Sequence, residues 1–158
     1  MEPKVIFSEV QVAKQNKVII YLLYLSISAI IIAVLYLLIN NQFDLYSFLL
    51  FTLILTILIL IANSKFILVI TEKEIMFRYF PFILNQRIIR IDEIKTIRAQ
   101  AYDPISEFGG WGIRKSGKKK LYSMSGNNAI IVEKNNGDIY YFGTRKAEEF
   151  NRVANVFV

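Results

Sequence analysis

The sequence predicts a membrane α-helical hairpin joined to a mainly-β domain, an antiparallel barrel or sandwich of about seven strands closed by a C-terminal amphipathic helix. Two uncharged apolar runs near the N-terminus predict the hairpin. Short runs rich in β-branched and aromatic residues, separated by turn signals, predict the β domain. A last segment with apolar residues on one helical face predicts the closing helix.

The first apolar run, residues 18–39, has 22 residues without a charge, and the second, residues 45–62, is also uncharged. About 20 helical residues cross a hydrocarbon core of about 30 Å. Only residues 40–44 separate the runs, so the two spans must be antiparallel. The alternatives are a cleaved signal peptide and a buried soluble helical pair. The length of the first run and the presence of the second disfavour both.

Basic residues predict the orientation of the hairpin. Lys14 and Lys17 precede the first span and Lys65 follows the second, whereas the connecting turn carries only Asp44. Both termini are therefore expected to face the cytoplasm. The predicted organisation is a cytoplasmic lead-in (1–17), a transmembrane hairpin (18–62, with spans 18–39 and 45–62) and a cytoplasmic β domain (65–158).

Three small residues recur on the first span at three- and four-residue spacing: Ser26, Ala29 and Ala33. Small residues in this pattern let two helices approach closely. They predict a packing seam, either to the second span or to another copy of the chain in a homo-oligomer.

In the β domain, seven segments have strand-like patterns: 66–71, 75–80, 86–91, 94–101, 119–124, 129–134 and 138–142. The pair Asn136-Gly137 predicts a hairpin between the last two, because both residue types accept positive φ. Thr144 is the expected N-cap of the closing helix, whose apolar face includes Phe150 and Phe157.

Several segments resemble bacterial proteins with a pleckstrin-homology-like (PH-like) domain. LVITEKEIMFRYFPF and IIRIDEIKTIRAQAYDP are similar to opening strands of membrane-anchored members, and the lead-in FSEVQ also matches. A loop signature is shared with a group that has two N-terminal spans and no assigned activity: Asp103, Pro104, Glu107, Gly109, Gly110, Trp111, Gly112, Arg114, Ser125, Gly126 and Asn127. The resemblance covers nearly the whole chain. It implies a PH-like domain at the bacterial cytoplasmic membrane.

A dense group of cations follows the only tryptophan, Trp111: Arg114, Lys115, Lys118, Lys119 and Lys120. Residues 65–158 carry 16 basic and 10 acidic side chains, a net charge of +6. Each cation near an anionic leaflet contributes about 1 kcal/mol. Trp111 and these five cations are predicted to contact anionic lipid headgroups or a partner protein. The alternative is that the cations are only solvated surface. Nucleic acid is not expected, because aromatic residues do not alternate with the cations.

The glycines beside Trp111 allow two interpretations. Glycine-rich backbone can cradle a phosphate, but the chain has neither GxxxxGK[ST] nor GxGxxG spacing here. A tight turn, with Trp111 packed on the domain, is the favoured interpretation.

Cysteine and histidine are both absent, which excludes Cys–His and Ser–His–Asp catalysis and zinc sites built from these residues. We expect no metal and no cofactor. The predicted function is a membrane-anchored binding or scaffolding protein. The alternative is an enzyme or accessory subunit acting on a membrane-embedded substrate through Asp103, Glu107 and Arg114. Against this alternative, Asp103 before Pro104 is typical of a turn, and Glu107 is expected to pair with Arg114.

Overall fold

The computed structural model describes residues 4–154, which form two compact units. Residues 12–64 make one unit, and the segments on either side of it make the other. The N-terminal segment, predicted as a lead-in, thus belongs with the β domain. The hairpin is an insertion within that domain's sequence.

The helical unit contains α1 (Lys17–Ile39) and α2 (Leu45–Ala62), within one residue of the predicted spans. A polar side chain caps the N-terminus of each helix. Asn16 Oδ1 accepts a hydrogen bond from Val18 N at 3.0 Å, and Asp44 Oδ1 accepts one from Ser47 N at 2.8 Å. These caps satisfy backbone N–H groups that have no partner within their own helix.

Both helices are long and apolar enough to cross a membrane, and neither has a buried residue. Half-buried positions recur every three or four residues along one face of each helix, as expected for two helices packed along their length. Ser26 and Ala33 lie on this face of α1, whereas Ala29 is exposed. The remaining apolar surface is open, as lipid-facing helices require.

Within residues 4–154 the β unit has nine strands in two sheets, not the seven predicted. Sheet A has the order β1-β2-β3-β4: Val5–Val12, Lys65–Thr71, Glu74–Phe80 and Ile83–Arg90. Sheet B has the order β5-β8-β9-β7-β6, where β5 to β9 in chain order are Ile94–Ala101, Gly112–Ser116, Lys119–Ser123, Asn128–Lys134 and Ile139–Gly143. Two short helices complete the unit, α3 (Pro104–Phe108) and α4 (Ala147–Val153). The two strands that the sequence pattern does not predict are β1 and β6.

Strand β1 lies at the edge of sheet A beside β2. Glu72 N donates to Lys4 O at 3.3 Å near the start of β1. The ring of Phe7, which is 2% exposed, meets Phe150 edge-to-face with centroids 5.5 Å apart. Pairs of this kind add to the stabilisation from apolar burial, so β1 forms part of the core.

Two buried polar side chains of β1 connect it to the end of sheet B. The Glu9 carboxylate accepts hydrogen bonds from the Thr144 hydroxyl and from Arg145 N. Gln11 Nε2 donates to Gly143 O at 2.8 Å and to Glu9 Oε1 at 3.0 Å. Each donor offsets part of the cost of burying the carboxylate. Phe7, Glu9 and Gln11 of the FSEVQ lead-in therefore have structural partners.

The main core lies between the two sheets, and a second buried cluster, which includes Phe108 of α3 and Leu121 of β7, lies on the other face of sheet B. Ile75, Phe77 and Tyr79 of β3 are buried and alternate along the strand with residues that are not buried. The Phe77 ring packs on Phe142 of β9 at 4.9 Å between centroids. Period-2 alternation of this kind is typical of a strand with one buried face.

The β domain is predicted to be antiparallel, but β7 and β9 of sheet B pair in parallel, with Lys119 opposite Ile139. Strand β8 pairs with the other side of β9. The β6–β7 hairpin is therefore added beyond β9, and β6 becomes the edge of the sheet.

One local prediction near the C-terminus needs correction. Helix α4 begins at Ala147, and Thr144 does not cap it, because its hydroxyl donates to Glu9 and accepts from Lys146 N at 3.0 Å. Phe150 is fully buried, as predicted. Phe157 lies outside the described residues.

The turn between β8 and β9 is where the Asn-Gly pair predicts it, but only Gly137 has positive φ (83°). Gly137 N donates to Lys134 O at 2.9 Å. A turn followed by one left-handed glycine matches the three-residue hairpin loop, which needs positive φ at a single position.

Candidate binding surface on the β6–β7 hairpin

The segment before β6 contains α3, a short helix that is capped at both ends. Asp103 Oδ1 accepts hydrogen bonds from Ser106 N at 3.1 Å and Ile105 N at 2.9 Å, and Pro104 occupies the first turn. The hydrogen bonds from Ser106 and then Ile105 lower the pKa of the Asp103 carboxyl. Gly109, with φ 72°, ends the helix in the left-handed region that glycine adopts without strain. Asp103 is thus a helix cap.

Glu107 is held by two contacts. Its Oε1 accepts from Asp103 N at 3.2 Å, and its Oε2 forms an ion pair with Lys119 Nζ at 3.0 Å. The predicted pair with Arg114 is wrong, since Arg114 Nε donates to Trp111 O at 3.1 Å. Both carboxylates proposed for acid–base chemistry are therefore engaged in the local structure of the loop.

The two parts of the loop signature meet in space. Trp111 Nε1 donates to Gly126 O at 2.7 Å, and Tyr102 N donates to Asn127 O at 2.8 Å. Arg145 Nη2 adds a contact to Ser125 Oγ at 3.2 Å. Trp111 still has 41% of its surface exposed. The signature thus describes two loops that support each other, with Trp111 partly exposed.

Two of the five clustered cations have acidic partners in the domain. Lys119 pairs with Glu107, and Lys120 Nζ lies 2.8 Å from Asp138 Oδ2 and 4.8 Å from the centre of the Tyr140 ring. The hydrogen bond to Glu107 raises the pKa of Lys119, and the one to Asp138 raises the pKa of Lys120. These two cations hold the hairpin against α3 and the β8–β9 turn.

The other three cations, Arg114, Lys115 and Lys118, are exposed and form no ion pair within residues 4–154. Arg114 and Lys115 lie on β6, the edge strand, and Lys118 lies in the turn that follows it. Arg114 and Lys115 therefore place positive charge along the free edge of β6. The sequence pattern does not predict this edge, because β6 has no buried residue to produce an alternation. The Lys118 ammonium instead lies beside Gly137 in the β8–β9 turn, where, after the hydrogen bond from Lys120, its charge also helps to lower the pKa of Asp138.

Trp111 and Lys118 lie at opposite ends of the hairpin. Gly112 pairs with Ser123 at one end and Ser116 pairs with Lys119 at the other, a separation of about 13 Å along a strand rising about 3.3 Å per residue. Ile139 N donates to Lys118 O at 3.1 Å, which places the basic end beside β9. The predicted six-residue contact is thus divided between a tryptophan end and a basic end.

No family model, no curated protein and no solved structure matches the chain. No group of three or more metal-binding side chains occurs in the part of the chain that the structure describes.

Proposed function

We propose that the protein is a membrane-anchored binding or scaffolding protein of the bacterial cytoplasmic membrane, with a PH-like β domain that binds an acidic partner protein. Both termini would be cytoplasmic. The two apolar helices support the anchoring. The β6–β7 hairpin supports the binding role.

The strand topology supports a PH-like frame. If α3, β6 and β7 are set aside, seven strands remain, four in sheet A and three in the order β5-β8-β9, followed by α4. The number of strands and the closing helix agree with the predicted PH-like domain, although the predicted seven included the segment of β7 and not β1. Two insertions then distinguish the protein: the helical hairpin between β1 and β2, and the α3–β6–β7 segment between β5 and β8. Function-specific elements commonly occur as additions of this kind to a frame.

The observation that favours partner binding is the unpaired charge on a free strand edge. An extended acidic segment could pair its backbone with β6 and place carboxylates near Arg114 and Lys115, with Lys118 at the end of the hairpin. Complementary charge of this kind directs partner choice and speeds association. Anionic lipid is the competing ligand for the same cations. The enzymatic alternative lacks this support, because Asp103 and Glu107 already serve the loop.

The proposed topology predicts opposite labelling at two positions. Because the chain has no cysteine, Asn41→Cys and Asn136→Cys each introduce a unique thiol. In intact cells, a membrane-impermeant thiol reagent should label position 41 and leave position 136 unlabelled until the cells are opened. Labelling of position 136 alone would reverse the orientation, and equal labelling of both would exclude a hairpin that crosses the membrane.

The proposed partner is tested by site-specific cross-linking of the full chain in its native membrane. A photoreactive amino acid at Ser116, on β6, should yield a discrete protein adduct. The charge-reversed variant R114E/K115E/K118E should lose this adduct at least tenfold, because it removes the attraction for acidic groups.

The matched control is K73E/R98E/R152E, which makes the same change in net charge at three other exposed positions of the β unit. It should keep the adduct. Equal loss in both variants would indicate a general charge effect. An adduct to lipid, or one that charge reversal at β6 leaves unchanged, would contradict an acidic protein partner at this edge.

A further inference from the structure

The turn between β3 and β4 carries exposed apolar side chains. Phe80, Phe82 and Leu84 are 38%, 61% and 59% exposed, and we call these three residues the apolar tip. Phe82 is further fixed beside the buried Tyr79, with ring centroids 6.0 Å apart. Exposed clusters of large apolar side chains are typical of a surface that binds something apolar.

Chain connectivity places the apolar tip close to the end of a predicted membrane span. Only Asn63 and Ser64 separate α2 from β2, and Lys65, the first residue of β2, pairs directly with Phe80. Three chain steps of about 3.8 Å and one strand pairing of about 5 Å keep Phe80 within about 16 Å of the last residue of α2. This limit holds for any arrangement of the two units.

Charge around the apolar tip suits an anionic lipid surface. Residues 75–91 contain no acidic side chain. Lys65, Arg78 and Arg87 are exposed and form no ion pair within the described residues. Glu74 lies at the other end of β3, next to the β2–β3 turn. Aromatic side chains with flanking cations are the combination that favours the headgroup region of a bilayer.

We propose that the apolar tip inserts into the headgroup–acyl boundary of the bilayer that holds α1 and α2, with Lys65, Arg78 and Arg87 against anionic headgroups. This inference rests on the membrane anchoring in the proposed function. Because the domain is tethered, the contact is intramolecular, and a surface too weak to recruit a free protein is sufficient to orient it.

This docking would leave the basic end of the β6–β7 hairpin free for a partner. Asn135 N, in the β8–β9 turn, donates to Glu93 O at 2.9 Å. Glu93 follows the end of β4 that is remote from the apolar tip, where Arg90 pairs with Glu74. Lys118, which bonds to the first residue of β9, is therefore near the end of the domain opposite the apolar tip.

Spin labels on the full chain in phosphatidylcholine–phosphatidylglycerol vesicles test the docking. A single spin-labelled cysteine at position 85 reports on the apolar tip, one at position 72 on the opposite end of sheet A, and one at position 53 on α2. These positions are Asn85, Glu72 and Leu53 in the sequence. Collision with oxygen measures contact with lipid, and collision with a water-soluble nickel chelate measures contact with water. We expect position 53 to report lipid, position 72 water, and position 85 the interface. In N85C/F80S/F82S, chelate access at position 85 should rise to the level at position 72.

The outcomes separate this inference from the anchoring on which it rests. If position 85 is as accessible to the water-soluble chelate as position 72 while position 53 is in lipid, the docking is overturned and the membrane anchor stands. Position 53 in water would overturn the anchor itself. Magnetic broadening between labels at position 85 would show a second copy covering the apolar tip, and an interfacial signal unchanged by F80S/F82S would show that the tip is not the cause. Either result would also overturn the docking.

Discussion

A chain that begins at Lys65 is expected not to form a stable β domain, although it contains eight of the nine strands that the structure describes. Without β1, the Phe150 ring loses its edge-to-face partner, and Gly143 O loses the hydrogen bond from Gln11. The Thr144 hydroxyl and Arg145 N lose the Glu9 carboxylate. Each buried polar group left unpaired costs about 1–3 kcal/mol, and whole domains are stable by only about 5–15 kcal/mol. Cooperative unfolding should therefore be lost.

The matched control keeps β1. Residues 4–11 joined to residues 65–158 by a short glycine–asparagine turn should fold, because Ala13 N donates to Ser64 O at 3.0 Å just beyond the join, and this shows that the two strand ends lie close together. Urea titration followed by the fluorescence of Trp111, the only tryptophan, measures both chains. A cooperative transition of equal midpoint in the two chains would show that β1 contributes nothing to the domain.

The sequence was sufficient for elements with a strong hydrophobic pattern. Uncharged length alone defined α1 and α2, and alternation defined β3. Strand β1 was missed because its buried face carries Phe7, Glu9 and Gln11, while Val5 and Val10 are exposed. Hydrophobic periodicity predicts the wrong face for such a strand. Only the distant hydrogen-bond donors at Thr144 and Arg145 explain why a glutamate is buried there.

The candidate site was predicted in composition but not in arrangement. Five cations in seven residues suggest one basic surface, yet Lys119 and Lys120 are paired with acids that are distant along the chain. Those pairings depend on the position of α3 and on the parallel pairing of β7 with β9, neither of which leaves a local sequence signal. Trp111 and Lys118 are close in sequence but lie at opposite ends of β6, because an extended strand separates them.

Phe150→Ala is expected to destabilise the β domain by about 3–5 kcal/mol, as for other fully buried phenylalanines. Phe150 has no exposed surface and is the buried residue through which α4 packs on the domain. Alanine would leave a cavity beside Phe7 that the backbone of β1, fixed by its hydrogen bonds to the end of β9, cannot easily fill.

The measurement is urea unfolding of the full chain in detergent micelles, followed by Trp111 fluorescence, which reports on the β domain because the helical unit has no tryptophan. The midpoint should fall by about 1–5 M urea, at a slope of about 1–3 kcal/mol per M. Ile105→Ala is the control, because Ile105 is 65% exposed and an exposed substitution changes stability by about 0.5 kcal/mol or less. A Phe150→Ala midpoint within error of this control would mean that α4 does not close the core, and that the edge-to-face contact between Phe7 and Phe150 does not hold β1 in the domain.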